Sequence, residues 1–243
     1  MTWPEGVGRL VLEEVDSTNA EGLRRLPGLA GPVWILARRQ TGGRGRRGRA
    51  WVDPPGNFAA TLAMRTGEAP GRLAMRSFLA ALALGEALED VTGLAGAFKL
   101  KWPNDVLLEG GKLSGILLES DGQGGLALGI GVNLMAAPPA EPGAAFPPVS
   151  LRAATGLQVA PEALLDALAP RHAAWEAVFA AEGFAPVRAA FLARVVRLGQ
   201  PVVARGMRAE QHGIFESIDE TGALILATDS GRRTIPAADI FFP

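Results

Sequence analysis

Cysteine is absent from this 243-residue chain, which excludes disulfides, thiolate nucleophiles and thiolate metal ligands. Histidine occurs only as His172 and His212. Neither has a Ser, Cys or metal-ligand partner at useful spacing, so both read as structural or solvated. No uncharged apolar stretch reaches membrane-spanning length. The opening Met1-Thr2-Trp3-Pro4-Glu5 lacks the basic-then-apolar pattern of a signal peptide. A large charge imbalance is missing too: the formal net charge is −1, so any anion site is local. These absences lead to the expectation of a cytoplasmic protein with no membrane partner. Lysine is also scarce. Lys and Arg total 24, yet lysine stands only at Lys99, Lys101 and Lys112. A codon bias towards arginine explains the scarcity but not the clustering. A lysine is a compact point charge on a flexible stem, and a site that needs one resists replacement by arginine.

What is present is a core and a pattern. Hydrophobic residues make up 48 %, enough for one large domain or one domain with a small companion. Alternation predicts strands at 9–15, 33–38, 57–65, 98–102, 106–109, 113–120 and 126–132. Helices are predicted at 20–26, 72–91, 161–181 and 185–193. Asp16-Ser17-Thr18-Asn19 reads as a turn and cap for the first of these. Gly110-Gly111 and 121–125 supply hairpin turns, and 135–148 reads as a Pro- and Ala-rich surface loop. Trp175 and Phe179, four apart, read as core. Beyond Val196 five short strands follow at 201–204, 213–218, 223–227, 232–235 and 240–242, separated by turn signals. The fold class read from this is α+β, a mixed or antiparallel central sheet covered by helices, followed by a small C-terminal β-barrel. The expected division is residues 1–195 and 196–243.

The run Gly43-Arg44-Gly45-Arg46-Arg47-Gly48-Arg49-Ala50-Trp51 carries the chemistry. Glycine lets backbone approach a ligand, and arginine offers a planar fork of donors to carboxylate or phosphate. The spacing Gly43, Gly45, Gly48 also satisfies the dinucleotide-binding fingerprint, which needs a helix to open at the loop. Asp53-Pro54-Pro55-Gly56 follows instead and argues against one. A loop that orders over an anion fits better. Lys101-Trp102-Pro103-Asn104-Asp105 makes a rigid polar corner, in which Asn104 and Asp105 are either turn formers or ligand contacts. Lys112 stands at the mouth of an apolar strand. Gly129 and Gly131 share one strand face, where a ligand can lie against the backbone.

Taken in order, Asp-Ser-Thr-Asn, Gly-Arg-Gly-Arg-Arg-Gly-Arg-x-Trp, Lys-Trp-Pro-Asn-Asp, Gly-Lys-Leu-x-Gly-Ile-Leu-x-Glu and Gly-Ile-Gly-x-Asn resemble the motifs of biotin protein ligases. The resemblance covers essentially the whole chain, including a C-terminal domain like the Src-homology-3-like barrel of those enzymes, with 222–226 as its central strand. It implies biotin and MgATP as substrates, a biotinoyl-5′-AMP intermediate, and transfer to one lysine of a biotin carboxyl carrier protein. It implies that Ser17, Thr18, Asn19 and Gln40 bind the ureido head of biotin. Arg44, Gly45, Arg46, Lys112 and Gly115 would complete the biotin site. Arg46, Arg49, Trp51, Lys101, Asn104, Lys112 and Asn133 would face the adenylate, with Asn133 near Mg²⁺. Lys112, Arg46 and Asp105 would be the catalytic set. Whether Asp105 is a base, and whether Trp51 is a lid clasp or core, stays open. A homodimer is expected by family, and nucleic acid is not expected as a partner. With only fifteen residues before Asp16, the resemblance also implies a ligase without the helix-turn-helix repressor domain of some relatives. A lipoate or octanoate ligase is the nearest rival, against which the arginine loop and C-terminal strands argue.

Overall fold

The computed structural model describes residues 2–45, 48, 50–140, 146–205, 210–236 and, by backbone alone, 239–241. Among these residues the chain begins with β1 (Gly8–Leu12), α1 (Thr18–Arg25), β2 (Val33–Ala37), β3 (Phe58–Arg65) and α2 (Pro70–Thr92). It continues with β4 (Lys99–Lys101), β5 (Asp105–Leu108), β6 (Gly111–Lys112), β7 (Ser114–Ser120) and β8 (Gly125–Val132). Helices α3 (Leu151–Thr155), α4 (Pro161–Glu182) and α5 (Phe184–Arg194) precede β9 (Pro201–Arg205), β10 (Glu210–Ile218), β11 (Leu224–Thr228), β12 (Gly231–Ile235) and β13 (Asp239–Phe241).

A mixed five-stranded sheet, ordered β1-β2-β3-β8-β7, is the scaffold. Only β1 and β2 run parallel. Its strands alternate as the pleat requires. Phe58, Ala60, Leu62 and Met64 of β3 join the main core with Leu126, Leu128, Ile130 and Val132 of β8, against α2 and α4. The intervening Thr61, Ala63, Gly129 and Gly131 face the other way, towards α1 and the cavity beside it. Leu26, Ile35 and Ala63 make a second, small core there. Thus the long helices take one face and the short capped helix takes part of the other.

The strand expected at 113–120 is found as β7 from Ser114, and Leu113 separates it from Lys112. Lys112 ends β6 in a separate three-stranded sheet, β4-β5-β6, and Ser114 starts β7 in the large one. Backbone bonds fix this change of sheet: Lys112 N donates to Pro147 O, Leu113 N to Val106 O, and Asn133 N to Leu113 O. Helix α3 lies in a stretch with no assigned element. Ser150 caps it, with Ala153 N donating to its hydroxyl at 3.2 Å, and left-handed Gly156 ends it.

The C-terminal strands form an antiparallel sheet ordered β12-β11-β10-β9-β13. β10, not the 222–226 strand, lies at its centre, and closure into a barrel is not seen among the described residues. The chain enters this sheet alongside β4, where Val196 N donates to Leu100 O at 2.8 Å. Trp102 Nε1 then donates to Gly222 O at 2.9 Å.

Candidate active site

Glycine makes the site by omission. On the α1 side of the large sheet, Gly115 of β7 stands in register with Gly131 of β8. A Cβ on Gly129 would collide with the Asn19 amide, and one on Gly131 with the Trp51 indole. These missing side chains leave a cavity of about 410 Å³, lined among others by Ser17, Thr18, Gln40, Arg44, Trp51 and Lys112. Its volume suits a small ligand bound mostly by shape, with a few polar groups fixing orientation.

One end is a compact set of neutral hydrogen-bonding groups. Ser17 is the N-cap of α1, which holds Thr18 and Asn19 at the helix start. Thr18 donates to Gln40 Oε1 from its backbone N at 2.9 Å and its hydroxyl at 3.1 Å. The Thr61 hydroxyl lies between Thr18 Oγ1 at 2.8 Å and Asn19 Oδ1 at 2.7 Å. Asn19 Nδ2 donates to Leu117 O and to Glu119 Oε2, at 3.1 and 2.9 Å. Behind Gln40, Asp53 Oδ2 accepts from the Gln40 backbone N at 3.2 Å. Burial lifts the Asp53 carboxyl above its ordinary range, against the hydrogen bonds from Gln40.

The opposite end is charged. Asp105, at the start of β5, sits between two ammonium groups, with Lys112 Nζ at 2.8 Å from Oδ1 and Lys101 Nζ at 3.2 Å from Oδ2. Burial works to raise the Asp105 carboxyl, yet Lys112 and then Lys101 outweigh burial and hold it at about 2. Asp105 is therefore an anion at neutral pH and a weak base. Lys112 keeps 35 % of its side chain exposed and lines the cavity; Lys101 keeps 10 % and lies behind Asp105. Asn104 is also behind the wall, donating Nδ2 to Ile116 O at 2.8 Å. Neither is among the cavity-lining residues: Lys101 ends β4 and is held by Asp105, and Asn104 precedes β5 with its Oδ1 buried and unpartnered. Asn133 lines the cavity, and its Oδ1 is buried with no hydrogen-bond partner.

The arginine loop is pinched at its base. Trp51 N donates to Gly43 O at 2.9 Å, and Arg44 pairs with Ala50 as a short antiparallel bridge. This ribbon stands where a dinucleotide-binding loop would open its helix. Arg44 and Gly45 line the cavity, and Arg44 Nη2 lies 3.6 Å from Glu119 Oε1. Arg46 and Arg49 lie outside the described residues. Trp51 rests on the glycine floor as part of the cavity wall, with Nε1 buried and unpartnered.

Thr61 and Asp53 are the site residues that sequence reasoning missed. Thr61 left a signal, being the one polar residue in the apolar run Phe58–Met64. Asp53 left none, because Asp before two prolines reads as turn chemistry. His172 is core, edge-on to Trp34 at 5.7 Å, and His212 is exposed beside Glu210 at 2.9 Å. No cluster of three metal-ligating side chains occurs among the described residues, and no helix there is long and apolar enough to cross a membrane.

Two family profiles match this chain: the biotin/lipoate A/B protein ligase family over residues 11–134, and the biotin protein ligase C-terminal domain over residues 198–242. It is similar to a biotin–[acetyl-CoA-carboxylase] ligase of Paracoccus denitrificans, 56 % identical over 239 residues, covering 96 % of this chain and 99 % of that one. It is 31 % identical to the bifunctional ligase/repressor BirA of Escherichia coli, covering 93 % of this chain and 71 % of the relative. Among solved structures, a biotin protein ligase of Aquifex aeolicus in complex with biotin and ATP superposes with a TM-score of 0.82 at 26 % identity, covering 96 % of this chain and 97 % of the other.

Proposed function

The chain belongs to the biotin protein ligases of the biotin/lipoate A/B ligase family, and from that premise we propose how its residues divide the reaction. The activity is ATP-dependent biotin–[acetyl-CoA-carboxylase] ligation. A biotin carboxylate oxygen attacks the ATP α-phosphorus and pyrophosphate leaves. An acceptor lysine amine then attacks the acyl carbonyl and AMP leaves.

One observation carries the assignment: a hydrogen-bonding end built on Ser17, Thr18, Asn19 and Gln40 and an end where Lys112 presents an ammonium from a net-cationic lysine–aspartate–lysine cluster share one glycine-floored cavity. The hydrogen-bonding end suits the ureido head, which needs donors and acceptors. Ser17, Thr18, Asn19 and Gln40 take that role, with Thr61 and Asp53 fixing their orientation. The cationic end suits the acyl phosphate. A carboxylate and an α-phosphate repel, and Lys112 between them permits their approach and stabilises charge gathering at phosphorus. Arg44, Gly45 and Gly115 flank the carboxylate arm, and Trp51 walls the cavity beside them. Arg46 and Arg49 are assigned to the adenylate on sequence alone. Asp105, an anion between Lys112 and Lys101, is assigned to positioning the two lysines. Asn104 and Lys101 support the nucleotide end from behind. ATP arrives with magnesium, a hard cation that keeps waters and phosphate oxygens as most of its ligands. Among the described residues Asn133 Oδ1 lines the cavity with no hydrogen-bond partner and would contribute one ligand, which fits an ion carried by substrate rather than caged by protein.

The acceptor is proposed to be the carrier domain of acetyl-CoA carboxylase, and the setting the cytoplasm. Residues 1–195 are proposed to form the catalytic domain and 196–243 the small C-terminal one. A homodimer is proposed through the five-stranded sheet; sedimentation showing a monomer at every concentration would remove that part.

Biotin-dependent pyrophosphate release tests the reading. Lys112→Ala is expected to lose at least about a hundredfold in rate, as for removal of a group that stabilises developing charge. Arg46→Gly is expected to retain adenylation and release the intermediate. Selective activation of lipoate over biotin would overturn the substrate assignment.

A further inference from the structure

The cationic end of the cavity is fixed from outside its own sheet. β4 pairs with β5 along one edge. Its other edge meets the chain entering the C-terminal sheet, through the Leu100–Val195 bridge and the Val196 N to Leu100 O bond. The next residue after β4 is Trp102, 2 % exposed, whose indole donates to Gly222 O across 120 residues of sequence. Gly222 is seated closely: at φ +84° a Cβ would come 2.7 Å from the Phe78 ring of α2. Its turn is stiff as well. Asp219 Oδ1 accepts from Thr221 N, Thr221 Oγ1 and Ala223 N at 2.8, 2.7 and 2.9 Å. Trp102 separates Lys101 from Pro103, Asn104 and Asp105, so whatever holds its indole holds both flanks of the lysine–aspartate cluster. Among the described residues the other end is held within the large sheet and α1: Thr18 and Asn19 bond Gln40, Thr61 of β3, and Leu117 and Glu119 of β7.

We propose that the 219–223 turn of the C-terminal sheet is a positioning element for the nucleotide half of the site, acting through the Gly222 carbonyl on Trp102 and so on Lys101, Asp105 and Lys112. Trp102 and Gly222 are positioning residues: neither lines the cavity. The inference rests on the assignment of that end to ATP.

Two variants probe it in the full chain. Trp102→Phe keeps an aromatic ring and removes the donor. Asp219→Ala loosens the turn at the surface and leaves the buried residues untouched. Each is assayed for the KM of ATP in biotin-dependent pyrophosphate release, for the Kd of biotin alone by calorimetry, and for Tm. The expected result is a rise in the ATP KM of about tenfold for Trp102→Phe, the size of one lost buried hydrogen bond, and a smaller rise for Asp219→Ala. Biotin Kd is expected to stay within about twofold in both. An ATP KM unchanged in either variant, or a biotin Kd that weakens in step with it, would overturn the proposal and leave the seam merely structural. Wild-type protein that releases no pyrophosphate with biotin and ATP would sink the functional reading instead, so the two failures are distinguishable.

Discussion

At the scale of the residue, Asp105 binds two lysines and its loss leaves both without a counter-charge. Lys101 is the one with little solvent to fall back on. Asp105→Ala is therefore expected to destabilise the protein by about 3 kcal/mol, as for a buried pair broken from one side, measured by urea denaturation. Lys112→Ala should leave the urea midpoint nearly unmoved, since Lys101 still neutralises Asp105 and Lys112 is a third exposed. A larger stability loss for Lys112→Ala than for Asp105→Ala would show that the pairing is misassigned. The pH dependence follows from the signs. Asp105 has a depressed folded value of about 2, so its contribution is present above the ordinary carboxylate range and disappears as pH falls through about 2. His172 titrates in the opposite chemical sense with the same consequence. Burial, and then Arg76, push its imidazole down to about 3, so between about 3 and its ordinary 6.5 the unfolded chain binds the extra proton. Stability should fall as pH drops below 6.5, by about 1.4 kcal/mol per unit at most from this group. His172→Phe should flatten that limb in denaturation curves at pH 4 to 7, while wild type keeps it.

At the scale of the element, β8 shows how a strand becomes a binding floor. Leu126, Leu128, Ile130 and Val132 face the main core with α2, and the alternate positions on the cavity side are small: Ala127, Gly129 and Gly131. Gly129→Ala would drive a methyl into the Asn19 amide, and Gly131→Ala into the Trp51 ring. The first is expected to weaken biotin binding at least about tenfold by uncoupling Asn19 from Thr61, with the fold retained, as read by calorimetry and circular dichroism. Equal affinity in Gly129→Ala and wild type would place the head group elsewhere. That floor was legible before any coordinates, because paired glycines at a strand end have few packing uses. So were α1 and its Ser17 cap, α2, and the corner at Asp105. The division of the central strands into two sheets was not. Nothing at Leu113 marks a change of sheet, since the residues from Leu113 to Ser120 read as one strand with Lys112 at its mouth. The cause lies in 147–149, whose backbone claims Lys112 from far along the chain. The pairing of Lys101 with Asp105 was not legible for the same reason: residue types announce charge, but only the register of β4 with β5 brings the two together.

At the scale of the whole molecule, the small sheet that carries Lys101 and Asp105 meets the C-terminal segment at Leu100 and Trp102, beside the end of the cavity proposed to take the acyl phosphate. On the proposed assignment this separates the two binding events physically: the ureido end is carried by α1 and the large sheet, the other end by a junction. Mild urea is therefore expected to impair ATP turnover before biotin affinity, and simultaneous loss of both would argue against a junction as the weaker part. The lysine cluster has a last implication, for self-modification. A catalyst that makes an acyl-adenylate aimed at an amine is at risk from its own amines, and this chain has three lysine side chains. Lys101 and Lys112 are engaged with Asp105, which leaves Lys99, exposed on β4, as the side chain open to stray acylation. Peptide mass spectrometry after incubation with biotin and ATP alone should find the label at Lys99 ahead of the other two. An enzyme so poor in lysine is by composition a poor substrate for itself, and a leaky variant would mark its neighbours far more than its own surface.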